Sequence, residues 1–233
     1  MFRIKLRTVP IFVATLGSIS ASAYALSPAG PRIPAPPEPI FQEAQAAPDW
    51  LGPLDLFRKV PTQEEVFNDP GTPVLGNPNG DVSVVEYFDY HCPYCKAVTA
   101  DLMQLIEDDP GVRLVLKDYP ILREDSVAGA KAALAAAKQG RYREMHEALM
   151  AYRGAYTRSA LEEIAKASDV DPQRMFSDMD SPEIQAQVQR HLDQGRGLGI
   201  NGTPGFIFGR MQVPGAISLE DMIKLVAEAR RRK

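Results

Sequence analysis

The two cysteines of this chain, Cys92 and Cys95, stand in the run VVEYFDYHCPYCKAV, Val84 to Val98, where an apolar, β-rich segment passes into a helical pattern. No other feature constrains the fold as much. A disulfide between residues three apart closes too small a loop to remove much unfolded-chain entropy, so the pair is a poor staple. A zinc site needs about four ligands, and His91, His146 and His191, or a second chain, would have to complete it. A redox-active dithiol fits best, since C-x-x-C at a strand-to-helix junction is its expected setting. A non-enzymatic carrier of soft copper or zinc is the alternative.

The two sulfurs should differ. Cys92 is predicted at the helix N-terminus, where unpaired N–H groups and the macrodipole favour thiolate over thiol. Pro93 suits the first helical position, because the N–H it lacks would have no partner there. Cys95, one turn further in, is predicted to be the more buried, resolving thiol. A better leaving thiolate at Cys92 makes the disulfide more readily reduced and the protein more oxidising. A protonated His91 would push the same way; otherwise it is a solvent-facing side chain of little effect.

Upstream, Val82 to Phe88 carries β-branched and aromatic residues on both faces, as a central buried strand does. Glu86 breaks that pattern, and a carboxylate there is costly unless it has a partner or a job, or turns to solvent. Lys117 ends the next strand, Val112 to Lys117, where it can also snorkel outward. Between these strands, Val98, Leu102, Leu105 and Ile106 mark the buried stripe of the intervening helix.

The start of the chain reads as a secretory signal: Arg3, Lys5 and Arg7, an apolar stretch from Val9 to Ile19, and Ala23-Tyr24-Ala25 as the cleavage site. Residues 1–25 are therefore expected to be removed, and the mature protein to be soluble, unlipidated and exported, periplasmic where the host has an outer membrane. Residues 26–48, rich in proline and alanine, form a tether. Residues 49–79 begin with one or two short helices, broken at Pro53 and Pro61. The apolar side chains of 49–67 either pack on the domain or form an association patch. DPGTPVLGNPNGD, Asp69 to Asp81, reads as turns. A formal net charge of −4 that still includes the basic signal gives no support to nucleic-acid binding.

Residues of about 124–198 read as a helical insertion. Tyr142, Met145, Leu149 and Tyr152 repeat at helical spacing, as do Ile184, Val188 and Leu192. Ser159 with Glu162 suggests a capping box, and Asp171-Pro172 and Ser181-Pro182 each suggest an N-cap before an N1 proline. Phe206–Phe208 and Met211–Val213 suit a hairpin turning at Gly209-Arg210. Ser218 opens a last helix with the stripe Leu219, Met222, Ile223 and Val226.

Two motifs resemble one family. EYFDYHCPYCK is similar to the active-site strand and helix start of the DsbA-like thiol:disulfide oxidoreductases of the thioredoxin superfamily. GINGTPGFIFG, Gly199 to Gly209, resembles the loop that in this superfamily carries a cis-proline facing the disulfide. The resemblance covers Gly80 to the C-terminus and implies an α/β, thioredoxin-like fold over 80–233 with an inserted α-helical domain. It implies exchange through a mixed disulfide on Cys92 that Cys95 resolves, with no cofactor beyond the redox-active pair. It also implies a cis Pro204, with Thr203, Pro93, Tyr94 and His91 against the substrate. Glu86 corresponds to a buried acid that relays a proton to Cys95, and Lys117 to a lysine paired with that acid. The implied partners are reduced secreted proteins and a quinone-linked membrane oxidase. Pro93-Tyr94 replaces the Pro-His of the oxidases and Thr203 a valine, which keeps open an isomerase or reductase, maintained by a reductase and oligomeric through residues 49–67.

Overall fold

Alternating side chains that are apolar on both faces need cover on both sides, and β2 (Val82–Phe88) obtains it as the middle strand of a five-stranded sheet. A computed structural model of the chain describes residues 60–232; the expected signal peptide, the expected tether and positions 49–59 lie outside them. In chain order the elements are α1 (Gln63–Phe67), β1 (Val74–Gly76), β2, α2 (Pro93–Asp108), β3 (Val112–Asp118), α3 (Ser126–Ala137), α4 (Tyr142–Ala151), α5 (Arg158–Ala167), α6 (Pro172–Met179), α7 (Pro182–Gly197), β4 (Gly205–Phe208), β5 (Met211–Pro214) and α8 (Leu219–Arg231). The sheet order is β1-β3-β2-β4-β5. β2 and β3 run parallel, joined by the crossover helix α2, and the other pairings are antiparallel.

The five helices α3–α7 form the insertion, placed between β3 and β4. Asp171 and Ser181 cap α6 and α7 ahead of N1 prolines, as their sequence predicts. At α5 the cap is Thr157, whose Oγ1 accepts from Ala160 N at 3.2 Å. Ser159 lies inside the first turn, so the Ser159–Glu162 capping box does not form. β4 and β5 make the expected hairpin, and Gly209 turns it at φ +58°, a left-handed conformation that favours glycine.

Strand alternation splits the core in two. Val82, Val84, Phe88, Leu114, Leu116, Phe206 and Phe208 face α2, α8 and the insertion. Val85, Tyr87, Val115, Tyr119 and Ile207 face the opposite way, covered in part by Val66 and Phe67 of α1. Those two residues are thus packed on their own domain and do not contribute to an association patch. Within the Asp69–Asp81 turns, Val74–Gly76 pairs antiparallel with β3, Val74 opposite Val115. Three residues are too few to show a period of two, and this edge strand exists because β3 offers it a row of backbone partners. On α8 the buried positions are Met222, Val226 and Ala229; Ile223 is exposed, outside the stripe.

Candidate active site

Cys92 is the N-cap of α2, with Pro93 at the first helical position. Both thiols are free, and both are buried, Cys95 at 0% and Cys92 at 2% exposure. Cys95 is the more enclosed, as expected, but Cys92 is not an open surface thiol in this dithiol form. Protonated, its Sγ–H donates to the carbonyl of Thr203 at 3.1 Å. Ionised, it accepts from the Cys95 thiol and from the backbone N–H groups of Cys95 and Tyr94. These donors, led by Cys95, outweigh burial and bring the Cys92 pKa from 9.0 down to about 5. Burial, the contact with Cys92 and the nearby Glu86 push the Cys95 thiol far up instead. One sulfur is therefore anionic at neutral pH and the other holds its proton.

The Thr203-Pro204 peptide is cis. Its loop brings Thr203, 111 positions from Cys92 in sequence, against that sulfur. Beside it a cleft of about 260 Å³ is lined by the 199–205 segment and by Gln212, Pro214 and Gly215. Tyr94 is exposed at the first turn of α2. Thus Cys92, Cys95, Pro93, Tyr94, Thr203 and Pro204 converge as the two motifs imply.

Glu86 lies on the α2 face of β2, paired across the sheet with Leu116 on one side and Phe206 on the other. It is buried, and neither carboxyl oxygen has a hydrogen-bonding partner. Burial, and then the charge at Cys92, raise its pKa from 4.5 to about 8, so it is a neutral acid at pH 7. Lys117 does not pair with it. The parallel register sets Lys117 beside Tyr87, on the opposite face from Glu86. There its Nζ donates to Asp69 Oδ2 at 3.0 Å, behind the sheet. Asp69 also accepts from Arg190 Nε (3.1 Å) and Gln187 Nε2 (3.2 Å) of α7, so Lys117 anchors a buried polar cluster remote from the cysteines.

His91 also differs from expectation. Its Nε2 sits 2.9 Å from Asp125 Oδ1 and its ring tilts against Tyr156, 4.6 Å between centroids, so the anion it serves is a carboxylate of the insertion. The three histidines do not converge. His146 contacts the Tyr90 hydroxyl at 3.0 Å, its pKa lowered by burial to about 3, and His191 joins the Asp69 cluster behind the sheet.

Asp89 is a site residue that the sequence reading passed over. Buried three residues before Cys92, its carboxylate accepts from His91 N (2.8 Å), Ile121 N (2.9 Å), Leu122 N (2.9 Å) and Ser126 Oγ (2.8 Å), while its carbonyl receives Cys92 N at 2.9 Å. An acid directly after an apolar strand and three positions before C-x-x-C was the available signal; its four partners were not.

Comparison with known proteins agrees with this geometry. A thioredoxin family model matches residues 68–228. The structure of a thioredoxin-like oxidoreductase from Silicibacter pomeroyi is 42% identical, with a TM-score of 0.71 over 73% of this chain and 99% of that one. The thiol-disulfide exchange protein α-DsbA2 from Wolbachia pipientis is 30% identical, with a TM-score of 0.67 over 71% of this chain and 90% of that one. A stretch of 158 residues is 29% identical to part of the Na(+)/H(+) antiporter NhaA 3 of Salinispora tropica, 67% of this chain and 24% of that protein. The chain thus spans about a quarter of the length of such relatives. Among the described residues no helix is long and apolar enough to cross a membrane. With the C-x-x-C pair, the cis-proline loop and the helical insertion between β3 and β4 all in place, the chain belongs to the thioredoxin family and, within it, to the DsbA-like thiol:disulfide oxidoreductases.

Proposed function

We propose that the protein is an exported oxidase that introduces disulfides into secreted or periplasmic proteins. The observation that carries this reading is the asymmetry of the pair, a Cys92 anion held by several donors beside a Cys95 thiol pushed far up. Those donors stabilise the reduced form, and a disulfide whose reduced form is stabilised is a strong oxidant. With Cys92 brought down to about 5 from 9.0, the thiolate is the form present at pH 7 and favours the reduced protein.

In the reaction a client thiolate attacks Cys92 Sγ of the Cys92–Cys95 disulfide. The Cys92–client bond forms, and Cys95 leaves as a thiolate that takes a proton from Glu86. A second client thiolate then attacks the client sulfur of the mixed disulfide. The client departs with its disulfide, Cys92 departs as the stable thiolate, and two electrons have passed to the protein. Attack by Cys95 on the mixed disulfide returns the client reduced, so in the oxidising direction Cys95 is an escape route and not the releasing group. Glu86 suits its role because it is neutral below about pH 8 and has no competing partner. The Thr203-Pro204 backbone, with Pro93 and Tyr94, forms the edge against which a client lies extended. A quinone-linked membrane oxidase reoxidises the pair.

The test is the state of the cysteines in the intact cell, read by alkylation after rapid acid quenching. A predominantly oxidised pair, with reduced client proteins accumulating when the gene is removed, is the expected result. A pair held reduced would replace the oxidase with an isomerase or reductase.

A further inference from the structure

Each turnover of the proposed exchange leaves Cys95 with a proton that Glu86 has given, and in the dithiol form Glu86 is again a neutral acid at pH 7. Its proton is therefore replaced, although the side chain is buried and neither of its oxygens has a hydrogen-bonding partner. Replacement has to pass through buried polar side chains, and the same face of the sheet holds a second buried acid. In the parallel register Asp118 pairs with Phe88, as Leu116 does with Glu86, so the period of two turns both acids toward α2 and the insertion. One strand across and two residues along, their backbones are about 8 Å apart. Asp118 is buried too, and both of its oxygens lack a partner. It stands nearer the strand ends, where β3 finishes and the exposed stretch 121–124 follows.

A hydroxyl serves both acids. Tyr142 of α4 stacks on His146, 5.6 Å between centroids, and His146 packs edge-on at 5.1 Å against Phe88, the strand partner of Asp118. The Tyr142 hydroxyl feels the charge of Asp118 first and of Glu86 after it. It lies near the Tyr90 hydroxyl, which is engaged with His146 Nδ1 at 3.0 Å, and makes no hydrogen bond of its own. Three buried polar groups without partners on one face of a sheet are costly unless they have a task. We propose that Asp118 and Tyr142 form a relay that returns the proton to Glu86. The Tyr142 hydroxyl gives its proton to the Glu86 carboxylate as it takes one from the Asp118 carboxyl, and Asp118 recovers a proton from water at the strand ends. Only O–H bonds form and break, and the negative charge moves from Glu86 to Asp118 and is then neutralised there. The titratable groups that face Asp118 are Glu86 of β2, Asp89 and Tyr90 of the active-site turn, and Tyr142 and His146 of α4, while His191 of α7 meets its main chain. Burial, and then the charge of Asp89, hold its carboxyl well above the ordinary carboxylate range, so it has a proton to give. Asp118 and Tyr142 act through Glu86 and are positioning residues for its proton.

The inference rests on the exchange reaction proposed above, and one experiment separates the two. The oxidised protein is mixed with a synthetic dithiol peptide, and formation of the reduced protein is followed by acid quenching and alkylation on both sides of about pH 8, for wild type, Tyr142→Phe, Glu86→Gln and the double variant. Tyr142→Phe removes a hydroxyl that bonds nothing, so a merely structural role leaves the rate unchanged. The relay makes this variant about tenfold slower near neutral pH, less than the factor of about 100 or more of a direct general acid, because the hydroxyl acts through Glu86. The loss should fade above about pH 8, where Glu86 has no proton to pass on, and Tyr142→Phe should add nothing to Glu86→Gln. Asp118→Asn should repeat the behaviour of Tyr142→Phe, which decides the matter if the asparagine variant does not fold. A wild-type rate in Tyr142→Phe, or a loss that persists in the Glu86→Gln background or at high pH, overturns the relay alone. A wild-type rate in Glu86→Gln removes the acid that the relay serves, and the relay with it. Failure of the wild type to oxidise the peptide overturns the exchange reading and the relay together.

Discussion

Glu86→Gln is the substitution whose consequences the structure defines most closely. Both carboxyl oxygens are buried without a partner, and the acid releases its proton at about pH 8 when folded instead of 4.5. Between those values the unfolded chain has lost the proton and the folded one keeps it, so stability falls as pH rises, by about 1.4 kcal/mol per pH unit. The loss is absent below 4.5, where both states are protonated, and complete above about 8, where it totals about 5 kcal/mol. Glutamine exchanges no proton. The stability of Glu86→Gln minus that of wild type should therefore be flat below pH 4.5, climb at about 1.4 kcal/mol per unit, and level off above pH 8. Cys92 has the opposite slope, since its folded pKa is depressed and its stabilisation grows between about 5 and 9.0. Both proteins share that term, so it cancels when both are measured fully reduced. The amide is left as unpartnered as the neutral acid, which makes the slope, and not the offset at low pH, the signal. Urea unfolding of the two reduced proteins across this pH range, at constant m-value, measures it. A difference independent of pH would mean that Glu86 is solvated and ionised, and would remove it from the proton path to Cys95.

Three further outcomes are expected. Cys95→Ala should accumulate mixed disulfides through Cys92, formed when its thiolate attacks a disulfide already present in a client and displaces the other client sulfur as a thiolate, and kept because escape by the resolving thiol is gone, whereas Cys92→Ala should accumulate few; equal trapping on non-reducing gels would undo the division of roles. The ultraviolet absorbance of the Cys92 thiolate in the reduced protein should titrate near pH 5, so that alkylation is already at its plateau at neutral pH, and a midpoint near 9 would refute the donor set at α2. Lys117→Met should cost about 3 kcal/mol in denaturant unfolding, because it leaves the buried Asp69 with only Arg190, Gln187 and their neighbours. The same variant should leave the pH profile of Cys92 alkylation in place; a shifted profile would mean that Lys117 acts on the cysteines through the sheet.

The parts of this protein that the sequence determines by itself are those decided within a few residues. The cap at Cys92 with Pro93 after it, the Asp171-Pro172 and Ser181-Pro182 helix starts, the hairpin at Gly209 and the two-faced apolar pattern of β2 are local, because backbone sterics and nearest-neighbour hydrogen bonds set them. The pairing of residues 92 and 203 was legible only through the resemblance of two distant motifs. What the tertiary structure alone decided is which side chains share a face. Lys117 and Glu86 occupy adjacent strands, and one position in the register is enough to place them on opposite sides of the sheet, because the side-chain period of a strand is two. The same holds for β1, which takes its strand character from the free edge of β3, and for His91, which takes its partner from the insertion. Asp89 shows the reason most plainly: a buried carboxylate is stable only where donors converge from several parts of the chain, and convergence is a property of the fold.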